Sequence, residues 1–539
     1  MKRGGPVIAG VAVAGLMFAA NASAKTFDVT RTADTVPNGC NQGGCTLREA
    51  VITANDRPGA DTVRLKPGKT YELAIPGTGE DESATGDLDV TGPLAISHPG
   101  TARATIDGGG LDGVVDATAG MDLLGLVIRG GTSFGLRTTA ALDLRSSRVA
   151  GNGGYGLQTQ LPGGPIQLER SRISGNAYQG IQQNGGGGIS LVRSSVSGND
   201  NQGIQQYQDG GVTLTRSKVG GNEHQGIQEY GDGGVTLRRS SVVDNGHQGV
   251  QEYDDGQVVL KRGAVSGNGN QGIQTYDAGG LAINRGKVIG NESQGVQAYD
   301  GESARIDLTV IRGNEFRNVE LYVESTYAVS RTTISGQAGG GIVLGGNASG
   351  KITNSTISGN ATVGDGGGID NMTLLTIRNS TIAGNRADGS GGGIYNSGQL
   401  RLNNVTIAHN IADADNDTNG LGGGLFNGLL LSSTEVGNSL IALNDMIGGD
   451  ADDCWGGFES TGGNLRGDPA ECGDWDGPGD IVRANPKIGS LKRNGGPTAT
   501  IALKKGSPAI GLARKGSAEK RDQRGRKRDA DPDTGAFER

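Results

Sequence analysis

Residues 202–207 read QGIQQY, and the same motif returns every 23 residues. It stands as QGIQQ at 179–183, QGIQEY at 225–230, QGVQEY at 248–253, QGIQTY at 271–276 and QGVQAY at 294–299, with weaker copies at 317–322 and 340–344. An unbroken period of this length indicates stacked, nearly identical units, each in contact only with its neighbours. Every position of the repeat then becomes a column of like side chains along one axis.

Four positions of the repeat are apolar and define four columns. These columns run from Ile166 to Leu281, from Leu168 to Ile283, from Ile173 to Ile311 and from Ile181 to Ile342. The first two columns lie two residues apart and β-branched residues dominate, which is typical of strands. Gly, Asn and Ser separate the apolar positions as turn residues do. The sequence therefore predicts an all-β protein in which each 23-residue unit forms one coil of a parallel β-solenoid.

A fifth column consists of asparagine, and it runs Asn152, Asn176, Asn199, Asn222, Asn245, Asn268, Asn291 and Asn314, followed by Asn360, Asn385 and Asn410. Asparagine tolerates left-handed backbone angles and bonds nearby main chain, so it suits a turn. Stacked amides can also bond one another from coil to coil. We expect this column to be structural.

These features resemble right-handed parallel β-helix proteins of the pectate-lyase-like architecture. Near the start, CNQGGCTLREAVITAN at 40–55 looks like the CSLREA motif of secreted bacterial repeat proteins, with Thr46 in place of serine. Near the end, NPKIG at 485–489, NGGPT at 494–498, GSPAI at 506–510, DQRG at 522–525 and DTGAFE at 533–538 resemble the choice-of-anchor Q domain. The resemblance implies a secreted or cell-surface protein, and it implies no particular activity.

The chain divides into four expected regions. Residues 1–24 have the basic start, apolar middle and small-residue end of a secretory signal. Residues 25–60 form a cap with the CSLREA-like motif, in which Thr46 and Glu49 match a helix capping box over a short amphipathic helix at 46–55. Residues 61–445 form the β-helix, with longer turns protruding near 361–366, 386–391 and 411–421. Residues 446–539 supply the last coils and a C-terminal cap.

Charge and cysteine content narrow the class further. The formal net charge of −8 disfavours general nucleic-acid binding, and no segment after the signal is apolar enough to span a membrane. Four cysteines fit an oxidising compartment, and we expect the local pairs Cys40 with Cys45 and Cys454 with Cys472, although three connectivities are possible. A metal site is the alternative, which the spacing does not favour.

A stripe of glutamine and tyrosine is the first candidate binding surface. Strand alternation from the buried isoleucine column directs the second glutamine and the tyrosine of each motif outward, namely Gln205, Tyr207, Gln228, Tyr230, Gln251, Tyr253, Gln274, Tyr276 and Tyr299. Amides bond sugar hydroxyls and aromatic faces cover sugar C–H groups, so an exposed stripe suits a glycan. The alternative is a self-stacked ladder that serves only the solenoid.

The candidate catalytic group lies on two of these coils. Glu229 and Glu252 follow the glutamine column, in line with Gln183 and Gln206 before them and apolar residues after them, so their direction stays open. Side by side they could reach the roughly 5 Å spacing of retaining glycosidases, and repulsion would raise one pKa. His224 and His247 lie on the same coils. Drift between Gln and Glu within the repeat is the plain alternative.

Two charged columns complete the candidates. Arginine recurs at Arg170, Arg193, Arg216, Arg239, Arg262 and Arg285, and aspartate at Asp209, Asp232, Asp255, Asp277 and Asp300. Arginines this close need counter-anions. The aspartates are one source, and a uronate or sulfate polymer is another. Calcium on Asp232 and Asp255 is the only cofactor considered, and a basic run at 514–528 is expected to be a solvated surface segment.

Two functional hypotheses follow, beside a third in which the protein is a purely structural surface spacer. The first is a secreted or cell-surface β-helix that binds an extracellular polysaccharide or surface glycan without cleaving it. The second is a polysaccharide lyase or glycoside hydrolase centred on Glu229, Glu252, His224 and His247. The motifs of mannuronan epimerases, polygalacturonases and pectate lyases are missing from the sequence, which favours the binding hypothesis.

Overall fold

The computed structural model describes residues 23–539 except 41–43, 278, 337–338, 429–430, 448–451, 468–471 and 474. The first 22 residues of the expected signal lie outside this part. What is described is a right-handed parallel β-solenoid of about 16 turns, as the repeat predicts. Neighbouring coils hydrogen-bond along three parallel sheets, so each coil contributes one strand to each sheet.

The strands of the three sheets follow one another in a fixed order within each coil. Sheet 1 contains Thr26–Asp28, Asp61–Arg64, Leu94–Ser97, Met121–Leu124, Leu142–Arg145, Ile166–Glu169, Ile189–Val192, Val212–Thr215, Val235–Arg238, Gln257–Lys261, Gly280–Asn284, Ser303–Asp307, Thr326–Ser330, Ser349–Thr353, Leu374–Arg378, Gln399–Asn403, Ser433–Gly437 and Glu459–Gly462. Sheet 2 contains Thr70–Glu72, Ala104–Asp107, Leu126–Arg129, Arg148–Ala150, Arg172–Ser174, Ser195–Ser197, Lys218–Gly220, Ser241–Val243, Ala264–Ser266, Lys287–Ile289, Val310–Arg312, Thr333–Ser335, Thr356–Ser358, Thr381–Ala383, Thr406–Ala408, Leu440–Ala442 and Leu465–Arg466. Sheet 3 contains Leu88–Val90, Val115–Ala117, Phe134–Thr138, Tyr155–Thr159, Ile181–Gln183, Ile204–Gln206, Ile227–Glu229, Val250–Glu252, Ile273–Tyr276, Val296–Tyr299, Arg317–Tyr322, Gly340–Gly345, Ile369–Asn371, Ile394–Asn396, Leu425–Asn427 and Cys454–Trp455.

The core consists of the four predicted apolar columns. In one coil, for example, the column members Val212, Leu214, Val219 and Ile227 are each at most 1% exposed. Register is exact from coil to coil, so that Val212 pairs with Val235 and Ile204 with Ile227. Stacking like residue on like residue buries each apolar side chain against its counterparts above and below, which is why a short repeat is enough to build a long core.

The asparagine column forms the predicted ladder. The Nδ2 of each asparagine donates to the Oδ1 of the next, as from Asn222 to Asn245 and from Asn245 to Asn268, both at 2.9 Å. Asn318 bridges Asn314 to Asn360 across the coil where the repeat loosens, and Asp453 accepts the last bond from Asn444. Because every amide is both donor and acceptor, the ladder satisfies buried polar groups over the whole solenoid.

A short helix, Leu47–Asn55, covers the N-terminal end of the solenoid. Its predicted capping box is confirmed, since Thr46 accepts from the Glu49 amide and Glu49 accepts from the Thr46 amide. The helix buries Leu47, Ala50 and Val51 against the first strands. An edge of unpaired strands is thereby closed to other chains. Both predicted disulfides, Cys40–Cys45 and Cys454–Cys472, are present.

The C-terminal region does more than cap the last coil. After the strand Leu465–Arg466 it includes the antiparallel pair Ile488–Lys492 and Thr500–Leu503, and it then packs back along the flank of earlier coils. Asn379 donates to the carbonyl of Arg521, and Gln523 donates to the carbonyl of Ser355. The basic run at 514–528 was expected to be a solvated surface segment, but part of it is buried or paired. Its Arg528 is buried and paired with Glu538, and its Arg524 is paired with Asp522.

The longer turns predicted near 361–366, 386–391 and 411–421 add a fourth, narrow sheet. Its strands are Ala361–Thr362, Arg386–Ala387, Ile411–Ala412 and Asp445–Met446.

Within the described part of the chain, no helix has the length and apolar character needed to cross a bilayer.

Candidate functional site

The outer glutamine column on sheet 3 is buried, which corrects the expected exposed stripe. Gln205, Gln228, Gln251 and Gln274 are each 4% exposed. The Nε2 of Gln228 donates to Oε1 of Gln251, and that same oxygen accepts from Gln225. The first glutamine of each motif thus folds over the second, and the two columns form one amide network that leaves few groups for a ligand.

The tyrosine column lies beside this network and is half-exposed, with Tyr207 the most open at 40%. Successive rings stack face to face, with centroids 5.2 Å apart for Tyr207 and Tyr230, 4.8 Å for Tyr230 and Tyr253, and 5.5 Å for Tyr253 and Tyr276. Tyr276 and Tyr299 continue the stack at 5.8 Å. Each inner face is covered by the next ring, so these tyrosines present ring edges to solvent rather than faces. The hydroxyls of Tyr276 and Tyr299 accept hydrogen bonds from Gln274 and Gln297.

Glu229 and Glu252 point into the solenoid, which settles the direction that the sequence leaves open. Both are fully buried, and they pair in register with each other and with Gln206 and Thr275. Burial raises the pKa of Glu229 to about 8 and, with repulsion from Glu229, that of Glu252 to about 9. One oxygen of each accepts a backbone N–H, from Gly231 and Asp254, and the other has no hydrogen-bond partner among the described residues.

The expected Glu–His cluster does not form. His224 and His247 are exposed and stack on each other with ring centroids 4.8 Å apart, whereas the glutamates lie inside the core. A polymer outside the solenoid could reach the imidazoles and not the carboxyls. Asp232 and Asp255, the calcium candidates, are exposed turn residues, and neither belongs to a group of three or more clustered potential ligands in the described residues.

The arginine column is the feature that remains open to solvent. We call Arg170, Arg193, Arg216, Arg239, Arg262 and Arg285 the arginine ridge, and all six are exposed. They occupy the turn between sheets 1 and 2, with φ between 50° and 55°. In this left-handed region a non-glycine residue is held at a cost of order 1 kcal/mol.

The ridge lacks the counter-ions that the aspartate column was expected to supply. The aspartates follow the sheet 3 strands, so they occupy a different turn of the coil. Arg170 lies 3.9 Å from Glu169, and the other five ridge arginines form no ion pair among the residues that the structure describes. The expected pairing of the two columns is therefore wrong.

A shallow groove of about 700 Å³ follows sheet 2 beside the ridge. Its floor is made of small residues, including Ser174, Ser197 and Gly221, and Arg148 and Arg172 line it. Lys218 and Lys287 lie in register with Arg172 further along the sheet. Sequence reasoning missed these cations. A signal was present, since Arg172, Lys218 and Lys287 each lie two residues after a ridge arginine.

Comparison with known proteins agrees with this architecture. The family described as the right-handed β-helix region matches residues 132–288 and 271–441. A search among curated proteins finds no significant match.

Three solved structures are similar over much of their length. Pectate lyase Pel9A has 14% identity and a TM-score of 0.26, with 96% of this chain and 97% of that chain covered. Tailspike protein 3 of bacteriophage CBA120 has 11% identity and a TM-score of 0.29, with 77% and 60% covered. A rhamnogalacturonan lyase has 12% identity and a TM-score of 0.19, with 66% and 87% covered. Similarity at this level does not tell whether a substrate or an activity is shared. Through the family match, which spans more than half of its length, the chain belongs to the right-handed β-helix proteins.

Proposed function

We propose that this protein binds an acidic extracellular polysaccharide along the arginine ridge and does not cleave it. The observation that carries the proposal is a row of six exposed arginines, one per coil, of which only Arg170 has a carboxylate within 4 Å among the described residues. The same proposal includes secretion, a place at the cell surface and kinship with CSLREA and choice-of-anchor Q proteins. These three parts rest on the sequence motifs.

The spacing of the ridge favours a polymer over a small anion. Coils rise by about 4.8 Å, so adjacent guanidinium groups repel one another by about 1 kcal/mol even in water when roughly 4 Å apart. A chain with one carboxylate or sulfate on each sugar relieves this repulsion at every coil at once. Guanidinium groups also bind such anions through two parallel hydrogen bonds, which lysine cannot do.

The backbone at the ridge supports a role for the charge itself. After the ridge the same turn position holds Leu308 and Arg331, and in the later coils it holds Asn354, Asn379 and Asn404, all with positive φ. Asparagine tolerates this conformation better than arginine does. Arginine persists there through six coils although the residue before it changes from Glu169 to Val192 to Thr215. The arginine is kept although its backbone conformation is unfavourable and the residue before it varies. This indicates that its side chain has a function.

The other candidates fit less well. The buried glutamates cannot reach a polymer, so the lyase or hydrolase hypothesis loses its proposed acid and base. The tyrosine stripe, with Tyr230 and Tyr253 at its centre, remains a weaker binding candidate because its ring faces are covered. Retention through tyrosine edges and hydroxyls would show no preference for acidic polymers.

The test compares polymers and two matched double variants. Arg216→Gln/Arg239→Gln removes two ridge charges. Arg305→Gln/Lys351→Gln removes two exposed charges from the outer face of sheet 1, neither of which has an ion pair among the residues that the structure describes. We expect the full chain to bind polygalacturonate and dextran sulfate but not neutral dextran, and to bind more weakly as salt rises. The ridge variant should bind at least about tenfold more weakly, since each charged contact contributes about 1 kcal/mol or more, and the control should bind as the parent does.

Three outcomes would contradict the proposal. Equal loss in both double variants would mean that net charge alone is responsible. Binding to neutral dextran that is lost in Tyr230→Ala/Tyr253→Ala would assign the site to the tyrosine stripe. Shortening of any polymer in the same incubations, followed by size-exclusion chromatography, would make the protein an enzyme.

A further inference from the structure

A buried acidic cluster lies at the first two strands of sheet 3, far from the ridge coils in sequence. Asp89 and Asp116 are register partners on adjacent coils, and Asp87 lies two residues before Asp89. Asp87 and Asp89 are each 4% exposed, and Asp116 is half-buried. One carboxylate oxygen from each of the three residues lies within 4.8 Å of the other two.

The cluster holds more negative groups than its neighbours can neutralise. Arg137 donates from both Nε and Nη2 to Oδ2 of Asp116, so the one guanidinium in the cluster is already engaged. Asp89 accepts from the backbone N–H of Ser83 at 2.7 Å. Oδ2 of Asp87 is buried and has no hydrogen-bond partner among the described residues. An orphaned carboxylate oxygen beside two further carboxyls calls for a cation.

We propose that Asp87, Asp89 and Asp116 bind a divalent cation of the calcium class. Calcium–oxygen distances are about 2.3–2.6 Å, so two oxygens on one ion lie at most roughly 5 Å apart, and the observed spacing fits. Calcium takes oxygen ligands in irregular geometry, which suits two strands and the segment leading into one of them. Because Asp116 is half-buried, an ion can reach the cluster from solvent on that side.

The site would fasten the segment before Asp87 to the second coil. Arg48 of the capping helix already anchors that segment through the carbonyls of Ser83, Gly86 and Asp87. The cation would add a second fixed point on the other side, joining the N-terminal cap to the solenoid.

Proton binding is the alternative to the cation. Burial raises the pKa of Asp87 to about 6 and that of Asp89 to about 7, and repulsion from Asp112, Asp116 and Glu80 adds to this while Arg137 opposes it for Asp87. A cation must displace these protons, so its affinity should rise from pH 5 to pH 8.

The experiment uses the full chain freed of metal with a chelator and titrated with CaCl₂ by calorimetry, alongside thermal unfolding with and without CaCl₂. Asp87→Asn/Asp89→Asn tests the site. Asp415→Asn/Asp417→Asn, which changes the two exposed members of an acidic group of the same size, is the matched control. We expect one Ca²⁺ per chain and a Tm that rises by several degrees in the parent and the control, and neither effect in the test variant.

Asp116→Asn is a second test should the double variant not fold, and it should weaken Ca²⁺ binding at least tenfold. Absence of Ca²⁺ binding by the parent at pH 8 would overturn the proposal and leave the cluster as a proton-sharing group. Binding that survives in Asp87→Asn/Asp89→Asn or Asp116→Asn, but is lost in the control variant, would move the site to the acidic group at 413–417 and also overturn the proposal.

Discussion

Glu229 and Glu252 occupy inward positions that hold Gln183 and Gln206 in the two preceding coils. In those coils a glutamine amide donates to backbone carbonyls, as Gln206 does to the carbonyl of Gln208 at 2.9 Å. A carboxylate has no proton to donate, so the glutamates are accommodated best in their protonated form. At the scale of the residue they are a structural liability above neutral pH rather than a catalytic pair.

The first prediction concerns the pH dependence of stability. In the unfolded chain glutamate loses its proton near its ordinary pKa of 4.5, whereas the folded protein keeps it until about pH 8 to 9. Both pKa values are raised on folding, so their stabilising contribution is complete below pH 4.5 and is lost as pH rises to 8 or 9. Glu229→Gln/Glu252→Gln should remove this loss, raising the free energy of unfolding at pH 8 by at least about 1 kcal/mol.

Urea unfolding at pH 4, 6 and 8 measures the effect. The two proteins should be alike at pH 4 and diverge as pH rises. Glu223→Gln, on the exposed turn of the same coil, is the control and should follow the parent throughout. A variant that is less stable than the parent at pH 8 would mean that the glutamates are ionised and held by partners.

At the scale of the element, the asparagine ladder and the glutamine network determine how much stability a substitution costs. Asn245 accepts from both the backbone N–H and the Nδ2 of Asn222, and it donates to Asn268. Gln251 has the same double role in its own network. The asparagine ladder is almost fully buried, whereas most glutamines of the network are 4–8% exposed, and Gln225 and Gln271 are half-buried. Water can therefore replace a lost glutamine more readily than a lost asparagine.

We therefore predict that Asn245→Ala destabilises the protein by about 3 kcal/mol, because it leaves two buried donors of Asn222 without an acceptor. Gln251→Ala should cost about half as much. Chemical denaturation of both variants at one pH gives the comparison. Equal losses would mean that water reaches neither ladder.

The whole molecule behaves as a stack of interchangeable coils between two caps. Residues 202–224 and 248–270 share the same columns, so the first could pair directly with the second. Stability in such proteins is close to a sum of unit and interface contributions. The hydrogen bonds of the returning C-terminal segment include those to Asn354, Ser355 and Asn379, all well after residue 247, so removal of an earlier coil leaves them intact.

Deletion of residues 225–247, one whole coil, should thus give a folded protein shorter by about 4.8 Å with a Tm within a few degrees of the parent. Deletion of residues 225–236 removes half a coil, destroys the register of every column and should prevent folding. Circular dichroism and small-angle scattering distinguish the two. A half-coil deletion that folds as well as the whole-coil deletion would contradict the stacked-unit description.

The sequence by itself determined the coil length, the strand columns, the asparagine ladder, the N-terminal capping box and both disulfides. Each of these depends on a local pattern or on a periodicity that stacking repeats unchanged. Such a pattern also assigned the outward parity of Gln228, but it could not tell that Gln202 of the preceding coil folds over and donates to it.

Only the tertiary structure decided which columns reach solvent and which residues meet. Burial depends on neighbours contributed by other coils, so the inward direction of Glu229 depends on how its strand packs in sheet 3. The separation of the arginine ridge from the aspartate column depends on which turn of the coil each occupies in three dimensions. The meeting of Asp89 and Asp116 likewise joins coils that precede the regular repeat, where no period predicts register. Likewise, the course of the C-terminal segment back over Asn379 depends on long-range packing that the sequence motifs do not encode.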